Sequence, residues 1–171
     1  VRLFLLFAAP PERLLEWSDK GVAGCRRFLE SLWTLVGAVE VGRNGEQSSV
    51  GGAEDDALTP LRVKTHLTIA KVTESMERHQ LNTGIAALME LMSEGSQVLE
   101  KQTEPLSVET VAVFKELGET ILVMLHPFAP HVTEELWSRL DKKARISQLN
   151  WPQADPAILA LERRTVAVQV N

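Results

Sequence analysis

Few residues in this chain could do chemistry, and they do not converge on a reactive group. His131 and Glu135 stand four apart, a spacing that can place two metal ligands on one helix face. No third ligand lies near them in the sequence. An acid-bearing first helical turn is the simpler account, because Glu134 and Glu135 sit where the positive end of a helix dipole favours carboxylates. His66, His79 and His126 are scattered, and no HExxH, GxSxG or GxxxxGK[ST] pattern occurs. Cys25 is the one cysteine, so neither an internal disulfide framework nor a CxxC metal site can form. Its place on an apolar helix face marks it as a small core residue rather than a nucleophile.

Basic residues give more pattern. At about 100° per residue, the helix that starts near residue 19 has an apolar stripe centred on Cys25, Leu29 and Leu32. Lys20, Gly24, Arg27, Ser31 and Thr34 fall on the opposite side, and Arg26 lies at the stripe's edge. Lys20 and Arg27 therefore make a small outward face with no carboxylate directly among them. Lys64, Lys71 and Arg78 recur at intervals of seven and align along another helix. Arg139, Lys142, Lys143 and Arg145 form a third set. Faces like these can hold phosphate electrostatically, with strong dependence on salt. A solvated helix surface is the alternative for each set, and pattern alone favours it.

The elements that carry these residues are mostly helices. Ser18 is placed to cap the first long one, with Val22, Cys25, Leu29, Leu32, Val36 and Val39 at helical spacing. Thr59 followed by Pro60 predicts the start of a second, running to about His79. Asn82 is placed to cap a third, with Ile85, Leu88, Met89 and Met92 on one face. Ser107 is placed to cap a fourth, with Val111, Phe114, Ile121, Leu122 and Leu125 inward and Pro127 at its end. Pro130 opens a fifth that carries Leu136, Trp137 and Leu140. Between the first two helices, Gly42 to Ala57 is rich in Gly and Ser with an acidic end, which predicts a disordered surface loop. At the other end Val166, Val168 and Val170 alternate with polar or small residues, the period of a β-strand. A lone strand has nothing to pair with, so it is assigned to the start of a following domain.

Composition bounds the rest. A chain of 171 residues, 44% hydrophobic, is enough for one domain with a substantial core. A formal charge of −5 excludes a bulk basic field, so any nucleic-acid contact needs a local basic face. The apolar run Leu3 to Ala9 is too short to span a bilayer, and the single Arg2 before it is a weak positive start for a signal peptide. It is expected to be a buried helix end stopped by Pro10 and Pro11. The single cysteine suits a reducing cytoplasm.

Four blocks resemble the bacterial leucyl-tRNA synthetases, in that family's order and over nearly the whole chain. LFLLFAAPPERLLEWSDKGVAGCRRFL, residues 3 to 29, resembles the segment after the family's KMSKS loop. NTGIAALMEL, Asn82 to Leu91, is similar to FNTAIAALMEL, with Gly84 where the family usually has Ala. HPFAPHVTEELW, His126 to Trp137, matches PFAPHxxEELW. Trp151-Pro152 and VAVQVN, Val166 to Asn171, resemble the family's WP and VVQVNGK. One departure is Ser31, preceded by Glu30, at a position often basic in relatives.

The resemblance implies an all-α, up-and-down helical bundle of the anticodon-binding type, with a short β-strand at the C-terminal end. Residues 1–17 would connect from a catalytic domain, 18–160 would form the tRNA-binding bundle, and 161–171 would start a truncated C-terminal domain. It implies tRNA(Leu) and the upstream catalytic domain of the same chain as partners, no membrane, a monomer and a cytoplasmic setting. Catalysis, with its ATP and Mg²⁺, belongs to the absent upstream domain, so no catalytic, cofactor-binding or metal residue is expected here. The bundle would position tRNA rather than transform it. Arg27 falls on the Arg of the family's RF pair and is the first candidate for tRNA contact, joined by Arg26, Lys20, Lys64 and Lys71. A helical protein-interaction module is the rival, and it would present an exposed apolar patch in place of a free basic face.

Overall fold

The computed structural model describes residues 1–10, 13–44, 55–102, 105–140 and 144–162. They form seven α-helices and one short 3-10 turn. Helix α1 (Arg2–Ala8) buries Leu3 and Phe4 and stops at Ala9, which is extended (φ −155°, ψ 150°) ahead of Pro10. Proline clashes with a helical predecessor, so the apolar run ends where expected. The LEWSD block then turns the chain into α2 (Asp19–Asn44). The Trp17 ring meets Phe4 edge-on at 5.4 Å, and its indole N–H donates to Asp19 Oδ1 at 2.9 Å. Ser18 caps α2, its hydroxyl accepting from the Gly21 N–H at 3.1 Å. Gly21 is required by packing: a Cβ there would sit 2.5 Å from the Phe4 ring, so α1 could not lie this close to α2.

Helix α2 buries Cys25, Leu32, Val36 and Val39 of the expected stripe and leaves Val22 and Leu29 partly buried, while Phe28 and Leu35, outside that stripe, are buried as well. It runs on through Gly42 to Asn44, and α3 (Asp55–Glu77) begins at Asp55. Both ends of the expected Gly42–Ala57 loop are thus helical. Residues 45–54 lie outside the described residues. Gly42 is not loop punctuation, since a Cβ there would come within 2.8 Å of Val111, far along the chain. Thr59 is likewise not the cap of α3. Leu58 is buried and extends the apolar stripe upstream of Pro60, so the helix starts a turn earlier and the proline sits inside it. Within α3, the hydroxyls of Thr65, Thr73 and Ser75 donate to carbonyls four residues back, which satisfies them inside the bundle.

Helix α3 closes with paired backbone bonds, Gln80 N–H to Ser75 O at 2.8 Å and His79 N–H to Met76 O at 3.1 Å, with His79 left-handed at φ 57°. The chain passes straight from this turn into α4 (Leu81–Leu99). Asn82 therefore falls inside the helix, and Gln80 occupies the cap position without a side-chain bond. So short a turn makes α3 and α4 antiparallel neighbours, and they share the most extensive contact in the bundle. Gly84 lies on that contact, where an added Cβ would meet Ser75 and Val72 at 3.6 and 3.8 Å, ordinary distances. Gly84→Ala, the residue usual in the resembled family, is expected to raise stability by about 0.5–1 kcal/mol. Chemical denaturation would read this, and a loss of stability would mean that the site has no room.

Helix α5 (Val108–Leu125) is the centre of the core. Ser107 caps it, accepting from Thr110 N–H at 3.1 Å, and Val111, Phe114, Ile121, Leu122 and Leu125 are all buried as predicted. Gly95 of α4 lets α5 approach, since a Cβ would stand 2.6 Å from Leu117. Pro130 opens α6 (Pro130–Arg139), which turns Leu136 and Trp137 inward, with Leu140 buried just beyond its end. A 3-10 turn (Ile146–Gln148) leads to a strap that crosses α3 before α7 (Pro156–Glu162). Two bonds fasten the strap: Trp151 Nε1–H to Thr73 Oγ1 at 2.8 Å, and Asp155 N–H to His66 Nδ1 at 2.9 Å. Because Nδ1 accepts, the ring proton sits on Nε2 and is directed at Glu116 Oε1, 3.0 Å away. The strand expected at Val166–Val170 lies outside the described residues. Among the described residues, no helix is long and apolar enough to cross a membrane.

Candidate nucleic-acid interface

Helix α2 sets Arg27 and Phe28 to opposite fates. Phe28 is buried in the core and Arg27 is exposed. Lys20 is exposed too, two turns earlier and on Arg27's side of the helix. Neither makes an ion pair among the described residues. Their charges are open to solvent and to an incoming anion. Arg26, a third of a turn away, is different. Its Nε–H donates to Glu30 Oε1 at 2.7 Å. That hydrogen bond, helped by the carboxylate's charge, raises the Arg26 guanidinium above its ordinary pKa.

Lys64 and Lys71 do align along α3, but on the edge that faces α4. Lys64 Nζ stands 3.0 Å from Glu94 and Lys71 Nζ 3.5 Å from Glu90, two acids one turn apart. Arg78, the next in the row, pairs with Glu74 at 2.7 Å. The row is matched by carboxylates along its length. Partly exposed pairs of this kind hold weakly, about 0–1 kcal/mol each, yet they cancel the field that a phosphate would feel. The structure thus leaves Lys20 and Arg27 on one side of α2 without a carboxylate partner among the described residues, and pairs Arg26, Lys64 and Lys71 with carboxylates.

The third basic set holds a contact that sequence reasoning did not find. Arg139, at the end of α6, lays its guanidinium 4.4 Å from the centre of the Trp33 ring on α2. Glu135 Oε1 lies 3.7 Å from Arg139 Nε. Trp33's place off the apolar stripe was readable; its partner, on another helix, was not. Lys142 and Lys143 lie outside the described residues.

The remaining candidates are structural. Among the described residues, no group of three or more His, Cys, Asp or Glu is arranged to hold a metal. Glu135 is turned toward Arg139, and His131 is exposed. His126 Nδ1 lies 2.9 Å from the Thr133 hydroxyl, which gives its own proton to a carbonyl of the Ala129–Pro130 turn. Cys25 is buried, and burial pushes its thiol pKa up, away from the reactive thiolate.

Comparison with known proteins places this arrangement. Residues 61–171 match the family described as "Anticodon-binding domain of tRNA ligase". The chain belongs to that family. The matched region begins in α3, so α2 with Lys20 and Arg27 precedes it. Relatives cover α2 as well. A leucine–tRNA ligase of Magnetococcus marinus is 45% identical over 171 residues, 99% of this chain and 20% of that protein. One from Syntrophobacter fumaroxidans is 41% identical over 173 residues, 100% of this chain and 21% of that protein. The chain thus spans about a fifth of the length of these relatives. Among solved structures, a LeuRS of Agrobacterium radiobacter, in a ternary complex with tRNA and LeuAMS, is similar with a TM-score of 0.73 and 25% identity. The likeness covers 92% of this chain and 20% of that one. The resemblance to leucyl-tRNA synthetases read from the four sequence blocks is borne out, and so is the helical fold it implied.

Proposed function

We propose that this chain is the tRNA-binding helical domain of a leucyl-tRNA synthetase, holding tRNA(Leu) so that its acceptor end reaches a catalytic domain elsewhere in the protein. The observation that carries this is the outward, unpaired Arg27–Lys20 face of α2, in a chain similar from end to end to leucine–tRNA ligases. Arginine suits the role because its planar fork grips phosphate with two hydrogen bonds and stays charged. Positioning alone contributes to catalysis by converting an encounter between molecules into one within a complex.

No step of the chemistry is assigned to this chain. ATP and Mg²⁺ would be held by the catalytic domain. Residues 1–17 serve as the connector, 18–160 as the bundle, and 161–171 as the beginning of a further domain. The protein works as a cytoplasmic monomer.

One observation favours a second role beside the first. Leu14 and Trp17 are 98% and 58% exposed, with Leu15 next to them. Apolar side chains so placed in the connector suit contact with the covalently linked catalytic domain. A free protein-interaction module would need no exposed basic face.

Equilibrium titration of the full-length protein with tRNA(Leu), with an unrelated tRNA as control, tests the proposal. Saturable binding that tightens as salt is lowered, and is stronger for tRNA(Leu), is expected. Indifference to both RNAs would return the chain to the class of protein-docking modules.

A further inference from the structure

Helix α2 carries two glycines that packing does not ask for, Gly24, where a Cβ would meet only the tip of Arg27 at 4.0 Å, and Gly37. A Cβ built on Gly37 meets nothing within 4 Å. Glycine in mid-helix weakens a helix relative to alanine, and Gly21 and Gly42 of the same helix are each explained by a neighbour that a Cβ would strike. Gly37 lies one turn beyond Trp33 and on the same side of α2. Trp33 is 38% exposed, with the Arg139 guanidinium stacked on its ring.

We propose that Arg139, held over the Trp33 ring beside the bare backbone at Gly37, forms a stacking seat for one unpaired base of tRNA. This inference rests on tRNA binding along α2. A guanidinium plane with one face on an indole still offers its other face, and unpaired RNA bases stack on arginine planes as they do on aromatic rings. The Arg139 side chain is 40% exposed, so that face is reachable. Glu135 holds its edge and offsets its charge, which suits a base better than a phosphate. Arg26 and Glu30, on the same side of α2, neutralise each other. Gly37 lets the ligand come close to the helix axis. Arg27 lies six residues before Trp33, roughly 9 Å along the helix and about a third of a turn round it, so the phosphate grip and the seat are neighbouring faces of α2.

The test is tRNA(Leu) binding by the full-length protein carrying Gly37→Ala, Arg139→Lys or Arg27→Glu, with thermal melting of each. Gly37→Ala is expected to raise the melting temperature and still weaken binding by several-fold, a combination that a structural role cannot produce. Arg139→Lys keeps the charge but loses the plane, and is expected to weaken binding on the order of tenfold. If Gly37→Ala and Arg139→Lys bind like the parent while Arg27→Glu does not, the seat is overturned and tRNA binding on α2 stands. If Arg139→Lys weakens binding only in step with melting, and Gly37→Ala is neutral, Arg139 is a helix staple and the seat is again overturned. If Arg27→Glu is also without effect, the underlying placement of tRNA fails and takes the seat with it.

Discussion

Replacing Trp137 with alanine is expected to destabilise the protein by about 3–5 kcal/mol, the range for large aromatic truncations in cores. The indole is only 5% exposed and belongs to the core cluster with Leu136, Leu140 and Ile146. Its Nε1–H donates to the Ala144 carbonyl at 2.8 Å, which ties the segment after α6 back onto the helix. Alanine would therefore remove both a large apolar volume and the tether that orients the chain toward the 3-10 turn. The melting temperature should fall by roughly 10 °C, given about 2–4 °C per kcal/mol for a domain of this size. Trp137→Phe should cost less, because most of the apolar contact survives. A loss below about 1 kcal/mol for the alanine variant would place the indole outside the core.

Much of this fold was legible because its signals are local. Ser18 and Ser107 cap helices through bonds within three residues of themselves, and the α5 face repeats at helical spacing without interruption. Two of the misreadings come from contact between distant parts of the chain, and one from a local turn that its residue type does not announce. Thr59-Pro60 looked like a helix start because nothing local reveals that Leu58 is buried. Asn82 looked like a cap because the left-handed turn at His79, which fixes where α4 begins, falls on a residue other than glycine. Gly42 read as loop because its reason for being glycine is Val111 on α5. The candidate site divides in the same way. Arg27 and Lys20 were readable from one helix's periodicity. The alignment of Lys64 and Lys71 was readable as well, but not that Glu94 and Glu90 would face them. The Arg139–Trp33 stack, between two helices far apart in the chain, left no trace in either segment alone.

Arg27→Glu is expected to have the largest effect on function of any change in this domain. The wild-type guanidinium is exposed, unpaired among the described residues and opposite the buried stripe, so its loss costs the fold little. Reversal replaces an attraction to phosphate with a repulsion and also denies Lys20 its cationic neighbour. In the full-length protein, the KM for tRNA should rise on the order of tenfold or more, the effect of about 1.4 kcal/mol per decade. Leucine-dependent pyrophosphate exchange should stay nearly unchanged, because that half-reaction needs no tRNA. A parallel fall in both rates would point to a folding defect instead. Glu30→Gln is a useful companion, since it removes the carboxylate charge that offsets Arg26 and is expected to strengthen binding.

The most direct measurement is the salt dependence of tRNA(Leu) affinity for the full-length protein and its Arg27→Glu variant. If Arg27 grips a phosphate, the slope of log affinity against log salt should be shallower in the variant by roughly 0.7–0.9, the release of about one counterion. Parallel lines of equal slope and equal affinity would contradict the account, because the outward face of α2 would then carry no phosphate contact.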